Sequence, residues 1–95
     1  MRLDLYLKVS RLINRRSKAK EMCDKGLIKV NGKISKPSHA VKVGDLIEID
    51  FLNKFLKVMV LEIPQGKNVS KRESSLLYKV VEKKKRDLFI GDIDE

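Results

Sequence analysis

Arg2, Lys8, Arg11, Arg15, Arg16 and Lys20 crowd the first twenty residues, and Lys29, Lys33 and Lys36 follow closely. Residues 1–36 hold eleven Lys/Arg against three Asp/Glu, a balance of +8. Residues 37–95 hold eleven against ten, a balance of +1. Solvated faces normally mix both signs, so this segregation points to an anionic partner. Arginine forks grip phosphate oxygens bidentately, whereas lysine acts as a point charge. The chemistry on offer is therefore phosphate binding. With a pI near 9.8, nucleic acid comes before an anionic membrane as the partner.

No catalytic constellation accompanies these residues. His39 stands alone in a Pro/Ser-flanked loop, with no nucleophile or charged orienter near it in sequence, and reads as a surface histidine. Cys23 is the single cysteine, on a short apolar stripe, and reads as a buried structural thiol in a reducing cytosol. Asp4, Glu21 and Asp24 fall on the outward faces of helical patterns, where solvated or ion-paired roles are expected. Gly26, Gly32 and Gly44 are each explained by a turn, and none builds a phosphate-cradling loop. No cofactor or metal site is expected, and the chain reads as a non-enzyme.

The elements that must carry the basic set follow from periodicity. Over residues 2–15, set at 100° steps, Leu5, Val9 and Leu12 fall together, Leu3 and Leu7 lie roughly opposite, and Tyr6 and Ile13 lie between. This first helix is apolar around most of its circumference and is expected to be the core element. Asp4, Lys8, Arg11 and Arg15 take the remaining quadrant. Arg2 sits in the first turn, where a positive charge opposes the helix dipole, a hint that it has another use. Asn14 is a turn or N-cap residue. A second helix runs from about Arg16 to Lys25, with Ala19, Met22 and Cys23 inward and Gly26 closing it in the left-handed conformation.

Residues 27–30 read as a strand, and Asn31-Gly32 is a strong hairpin signal. Residues 33–35 return, 46–51 alternate as a strand, and 55–63 form a long apolar strand closed by Pro64-Gln65-Gly66. Ser70 to Glu73 matches a capping box and opens a short helix. Residues 76–82 could continue that helix or form a strand. The fold class is α+β: two packed N-terminal helices against a small, mostly antiparallel sheet, with a β-hairpin extension and a short C-terminal element. Residues 1–50 form the core, 51–82 a β extension with the short helix, and 83–95 a charged tail expected to be mobile. There is no run of about 18 apolar residues to span a membrane, and no signal-peptide pattern.

Aromatic residues make up only 5%, and the basic half holds just Tyr6, on the apolar side of its helix. Single-strand binders stack bases on aromatic platforms, which this half lacks. A helix-turn-helix DNA reader would present base-reading side chains on its second helix, yet Glu21 and Asp24 occupy that outer face. Folded RNA is recognised by shape, phosphates and 2′-hydroxyls, which suits a patch of Arg and Lys. The alternatives weighed beside it are a generic rRNA-binding protein in large-subunit assembly and a helix-turn-helix DNA regulator.

Arg2-Leu3-Asp4, Leu7, Arg16, Ala19, Gly26, Val30-Asn31-Gly32 and Val43-Gly44-Asp45 together resemble the S-four type RNA-binding domain, or αL motif, over about residues 1–50. Arg15 departs from the pattern, standing where that family often has a helix-opening Ser. The opening run, with Leu7-Lys8-Val9-Ser10-Arg11-Leu12-Ile13 and Arg15-Arg16, resembles the free-standing RqcP group, which is related to the small heat-shock ribosome-recycling proteins. The resemblance implies binding to 23S rRNA and tRNA on a large ribosomal subunit obstructed by peptidyl-tRNA. It also implies support for the partner RqcH, which adds a C-terminal alanine tail to the stalled chain, or support for subunit recycling. Arg2 and Arg16 would lead the RNA contacts, with Lys8, Arg11, Arg15 and Lys20 in support and Lys29, Lys33 and Lys36 beside them. The free protein is expected to be a cytoplasmic monomer. Replacing Arg2 or Arg16 with Ala should then weaken RNA binding and leave thermal stability nearly intact.

Overall fold

The computed structural model describes residues 1–85. Two helices, α1 (Leu3–Val9) and α2 (Arg16–Asp24), pack on one face of a five-stranded sheet. The strands are β1 (Ile28–Val30), β2 (Lys33–Ile34), β3 (Leu46–Asp50), β4 (Lys54–Val60) and β5 (Tyr78–Lys85), and a short α3 (Lys71–Ser74) precedes β5. The sheet order is β2-β1-β3-β4-β5, and every pairing is antiparallel. The expected α+β architecture is the observed one.

α1 is the core element, with Leu3, Tyr6 and Leu7 fully buried and Val9 nearly so. Ala19, Met22 and Cys23 of α2 close over it, and Ile28, Val30, Ile47, Ile49, Val58 and Val60 form the sheet side of the same cluster. The Tyr6 hydroxyl donates to the Leu77 carbonyl at 2.7 Å, pinning α1 to the segment that leads into β5. Burial, with Tyr78 nearby, pushes the Tyr6 phenol pKa up, so the group stays a donor.

α1 is shorter than its periodicity suggests. The Ser10 hydroxyl bonds back to the Leu7 carbonyl, and Arg11 adopts φ 62°. The Ile13 N–H then reaches the Leu7 carbonyl at 3.1 Å and brings Ile13 into the core. Ile13 is buried by a turn, where the expectation carried a helix through residue 15. Arg11 and Arg15 therefore do not project from α1. A serine side chain that competes for a helical carbonyl, followed by a left-handed residue, ends the helix while the apolar spacing continues.

Other local signals are realised as read. Asn31 at φ 51° and Gly32 at φ 84° make the β1–β2 turn. The Asn31 side chain does more: it donates to Asp45 Oδ1 at 3.1 Å and accepts from the Leu46 N–H at 3.0 Å, which ties the hairpin to the start of β3. Ser70 and Glu73 form the reciprocal capping box of α3. Residues 78–85 are strand, which resolves the choice left open for 76–82, and pairing continues to Lys85 opposite Lys54. The remainder of the expected tail, residues 86–95, lies outside the described residues.

Alternation in the strands sorts their charges by face. Ile28, Val30, Ile47 and Ile49 point to the helices, so Lys29 and its partner Glu48 point away. Glu48 is in turn opposite Lys57, and Lys57 opposite Glu82. The outer face thus carries a cross-strand ladder of alternating sign, Lys29–Glu48–Lys57–Glu82, with an added Lys84–Glu82 ion pair at 2.9 Å. Opposite charges directly across a sheet attract, so this face is largely self-neutralised.

Candidate nucleic-acid interface

Asp4 is the centre of the site. Its side chain is only 3% exposed, a correction to the outward, solvated position that helical spacing suggests. The Arg2 guanidinium donates through Nε to Oδ1 at 3.2 Å and through its second nitrogen to Oδ2 at 3.3 Å. Arg16 Nε lies 3.3 Å from the same Oδ2. The Leu5 N–H donates to Oδ1 at 2.8 Å, the fourth contact of the carboxylate. Burial by itself would raise the carboxyl pKa. The hydrogen bonds and charges of Arg2 and Arg16, with the Leu5 N–H, outweigh it, and the net value lies below the ordinary 3.8. Asp4 is thus an anion at neutral pH, held in the core's margin by two cations.

The local sequence explains this placement. Arg2 is the N-cap of α1 and makes a β-bridge with Ala40, so its backbone is fixed by residues far along the chain. The Leu3 N–H donates to the His39 carbonyl and the Asp4 N–H to the Pro37 carbonyl. Arg16 opens α2, whose first turn has no acidic residue and whose N-cap, Arg15, makes no side-chain capping bond. Its first N–H groups therefore receive no side-chain cap, a setting that favours an approaching anion. The arginine side chains remain about half exposed, at 50% for Arg2 and 41% for Arg16. Each has one edge spent on Asp4 and the rest available to solvent or a ligand. Fixing both forks on a shared carboxylate lowers the ordering cost of binding a phosphate.

The other basic residues spread over several surfaces. Lys8 is exposed one turn after Asp4 on α1, and Lys20 is exposed one turn after Arg16 on α2, so both flank the pair. Lys33 and Lys36 border an open depression beside the β1–β2 turn, with Asn31, Ser35, Ser38 and His39. Arg11 donates to the Val69 carbonyl at 3.4 Å. Arg15 lines a groove with Leu12, Ile13, Lys18, Met22, Phe51 and Lys54. Lys29 stands on the outer sheet face opposite Glu48. Asp4 itself carries no sequence signal as an anchor beyond lying two residues after Arg2. Lys18 and Lys54 join Arg15 only through the fold.

Among the described residues no acid–base centre stands beside this set. His39 Nε2 lies 3.9 Å from Asp45 Oδ2 on the surface. Cys23 is buried, and burial, with Asp4 and Asp24 nearby, raises its pKa to about 11, so it is a poor nucleophile at neutral pH. Glu21 pairs with Lys25 at 2.9 Å and Lys18 at 3.7 Å. Among the described residues no group of three or more His, Cys, Asp or Glu could hold a metal, and no helix is long and apolar enough to cross a membrane.

The chain is similar to known proteins in sequence and fold. The S4 domain family matches residues 1–47, the stretch that holds Arg2, Asp4, Arg16 and the Asn31-Gly32 turn. An RQC P-site tRNA stabilizing factor of Streptococcus pneumoniae is 51% identical over 85% of this chain and 90% of its own length. A protein of the same name from Halalkalibacterium halodurans is 48% identical over 84% of this chain and 89% of its own. Among solved structures, trimeric Heat Shock Protein 15 of Vibrio cholerae superposes with a TM-score of 0.77 at 28% identity, covering 84% of this chain and 80% of that one. The chain belongs to the S4-domain family of RQC P-site tRNA stabilizing factors.

Proposed function

We propose that this chain is a non-enzymatic adaptor that binds 23S rRNA and tRNA on large ribosomal subunits obstructed by peptidyl-tRNA. It supports ribosome-associated quality control in the cytoplasm, either RqcH-dependent alanine tailing or recycling of the stalled subunit. The observation that carries the reading is the pair of arginine forks, Arg2 and Arg16, fixed on one buried carboxylate beside an uncapped helix start. Such a pair is rigid, cationic and shaped for phosphate, and it provides position and charge without bond-making chemistry. The names of the relatives, which speak of a P-site tRNA, support tRNA as one of the two RNAs.

Co-sedimentation with purified subunits tests this. The chain should pellet with large subunits that carry peptidyl-tRNA and much less with empty large subunits or intact ribosomes. Equal binding to all three would contradict it, and preference for immature subunits without tRNA would favour a role in assembly. Stronger competition by duplex DNA than by folded RNA at matched salt would point to a DNA regulator.

A further inference from the structure

The sheet carries a second charged surface that the Arg2–Arg16 site does not use. Lys54 is directly opposite Lys85, and Lys83 is opposite Leu56, two residues farther along β4. Leu56 is opposite Ile49, which is buried under the helices, so Lys54, Lys83 and Lys85 all point to the helix side of the sheet. The other β3 and β4 residues sharing that side are Ile47, Ile49, Leu56, Val58 and Val60, none of them acidic. Like charges placed directly across a strand pair repel, and the residue pairs beside Lys54–Lys85 on this side, Leu56 with Lys83 and Ile49 with Leu56, contain no acid. The outer face shows the contrast, since its lysines alternate with Glu48 and Glu82. Among the described residues, the charges of β4 and β5 on the helix side, at the rim of the apolar core, are all lysines.

Through Lys54 this row meets the helical region. Lys54 lies over the Phe51 ring at 4.9 Å and shares its groove with Arg15 and Lys18. We infer that Lys54, Lys83 and Lys85, joined through this groove by Arg15 and Lys18, form a second binding surface for a nucleic-acid sugar–phosphate backbone, separate from the Arg2–Arg16 pair. Lysines anchored on two paired strands form a row of point charges that tracks a backbone without reading bases. The inference rests on the RNA-binding reading above and extends it to a second segment of RNA.

The test uses the full chain and bulk tRNA as the probe, with affinity measured against salt. Lys54→Gln/Lys83→Gln/Lys85→Gln should reduce the log–log salt slope by roughly 2–3. Its thermal midpoint should hold or rise, because a repulsive pair has been removed. Lys57→Gln/Lys84→Gln, on the outer face, should change the slope by less than roughly one, the value for a single lost contact. Equal losses in the two variants would mean that net charge alone matters and would overturn the surface. An unchanged slope in the triple variant, with a flattened slope in Arg2→Ala/Arg16→Ala, would overturn the surface and leave the arginine site standing. Failure of the unmodified chain to bind tRNA at low salt would overturn both. Lysine-dependent binding to phosphatidylglycerol vesicles, with tRNA binding independent of these lysines, would assign the surface to a membrane and overturn it too.

Discussion

Arg16 Nε lies 3.3 Å from Asp4 Oδ2, and this contact joins the start of α2 to the first turn of α1. Because Arg2 grips the same carboxylate, the two arginines are coupled through one buried anion. In the proposed function binding and folding share a set of atoms, and substitutions there should report on both.

Arg16→Ala should flatten the salt dependence of RNA binding by roughly 0.7–0.9 in the log–log slope, as should Arg2→Ala. Stability should not escape, contrary to the expectation from sequence. Each change strips a partner from a carboxylate that is 3% exposed. The cost should be roughly 1–3 kcal/mol, toward the lower end because the arginine itself is half exposed. Urea unfolding of both single variants and the double variant would show it. The double variant should lose something other than the sum, since the two share Asp4.

Asp4→Asn should keep the shape of the site and remove its charge. The Arg2 and Arg16 forks lose the anion that orients them, so discrimination between folded RNA and a homopolymer should fall about tenfold, or roughly 1.4 kcal/mol. Overall affinity for the homopolymer at low salt should hold or rise, because net positive charge increases. Competition binding at two salt concentrations measures both quantities.

The pH dependence follows from the same carboxyl. Its pKa in the folded chain is lowered from the ordinary 3.8 by Arg2 and Arg16 against the opposing effect of burial. The unfolded chain thus takes up the proton first as pH falls. The stabilisation from Asp4 is complete above about pH 4 and is lost as pH drops through the lower folded value. The stability gap between the unmodified chain and Asp4→Asn should be constant from pH 7 to about 4 and shrink below that. Unfolding free energies across this range would check the sign.

Tyr6→Phe should leave RNA binding unchanged below the melting range and cost roughly 1–2 kcal/mol of stability. It removes the 2.7 Å hydrogen bond to Leu77 and nothing on the basic surface. The Leu77 carbonyl keeps the Leu61 and Glu62 N–H groups at 2.8 and 3.2 Å, which limits the penalty. Thermal denaturation together with tRNA affinity separates the two readouts.

Much of the fold was legible because local signals and tertiary packing agree. The all-round apolar α1, the Asn31-Gly32 turn, the Ser70–Glu73 box and the left-handed Gly26 each have a mechanism confined to a few neighbouring residues. The early end of α1 was hidden because Leu12 and Ile13 keep helical spacing while Ser10 and Arg11 break the backbone ladder. The charge-rich start was legible as a cationic surface suited to phosphate, but its geometry was not. Asp4 looks solvent-facing on a helical wheel because nothing local shows that Arg16 folds over it. Lys29 looks equivalent to Lys33 in sequence, yet alternation sends it to the face where Glu48 waits. Lys54 and Lys85 are thirty-one positions apart and meet only through strand pairing.

The most direct test of the account is co-sedimentation of Arg2→Ala/Arg16→Ala with large subunits that carry peptidyl-tRNA, beside the unmodified chain and with folding confirmed by circular dichroism at the same temperature. The account predicts that the folded double variant stays in the supernatant at salt where the unmodified chain pellets. A folded double variant that pellets equally well would contradict the assignment of the Asp4-anchored arginine pair as the RNA-binding centre.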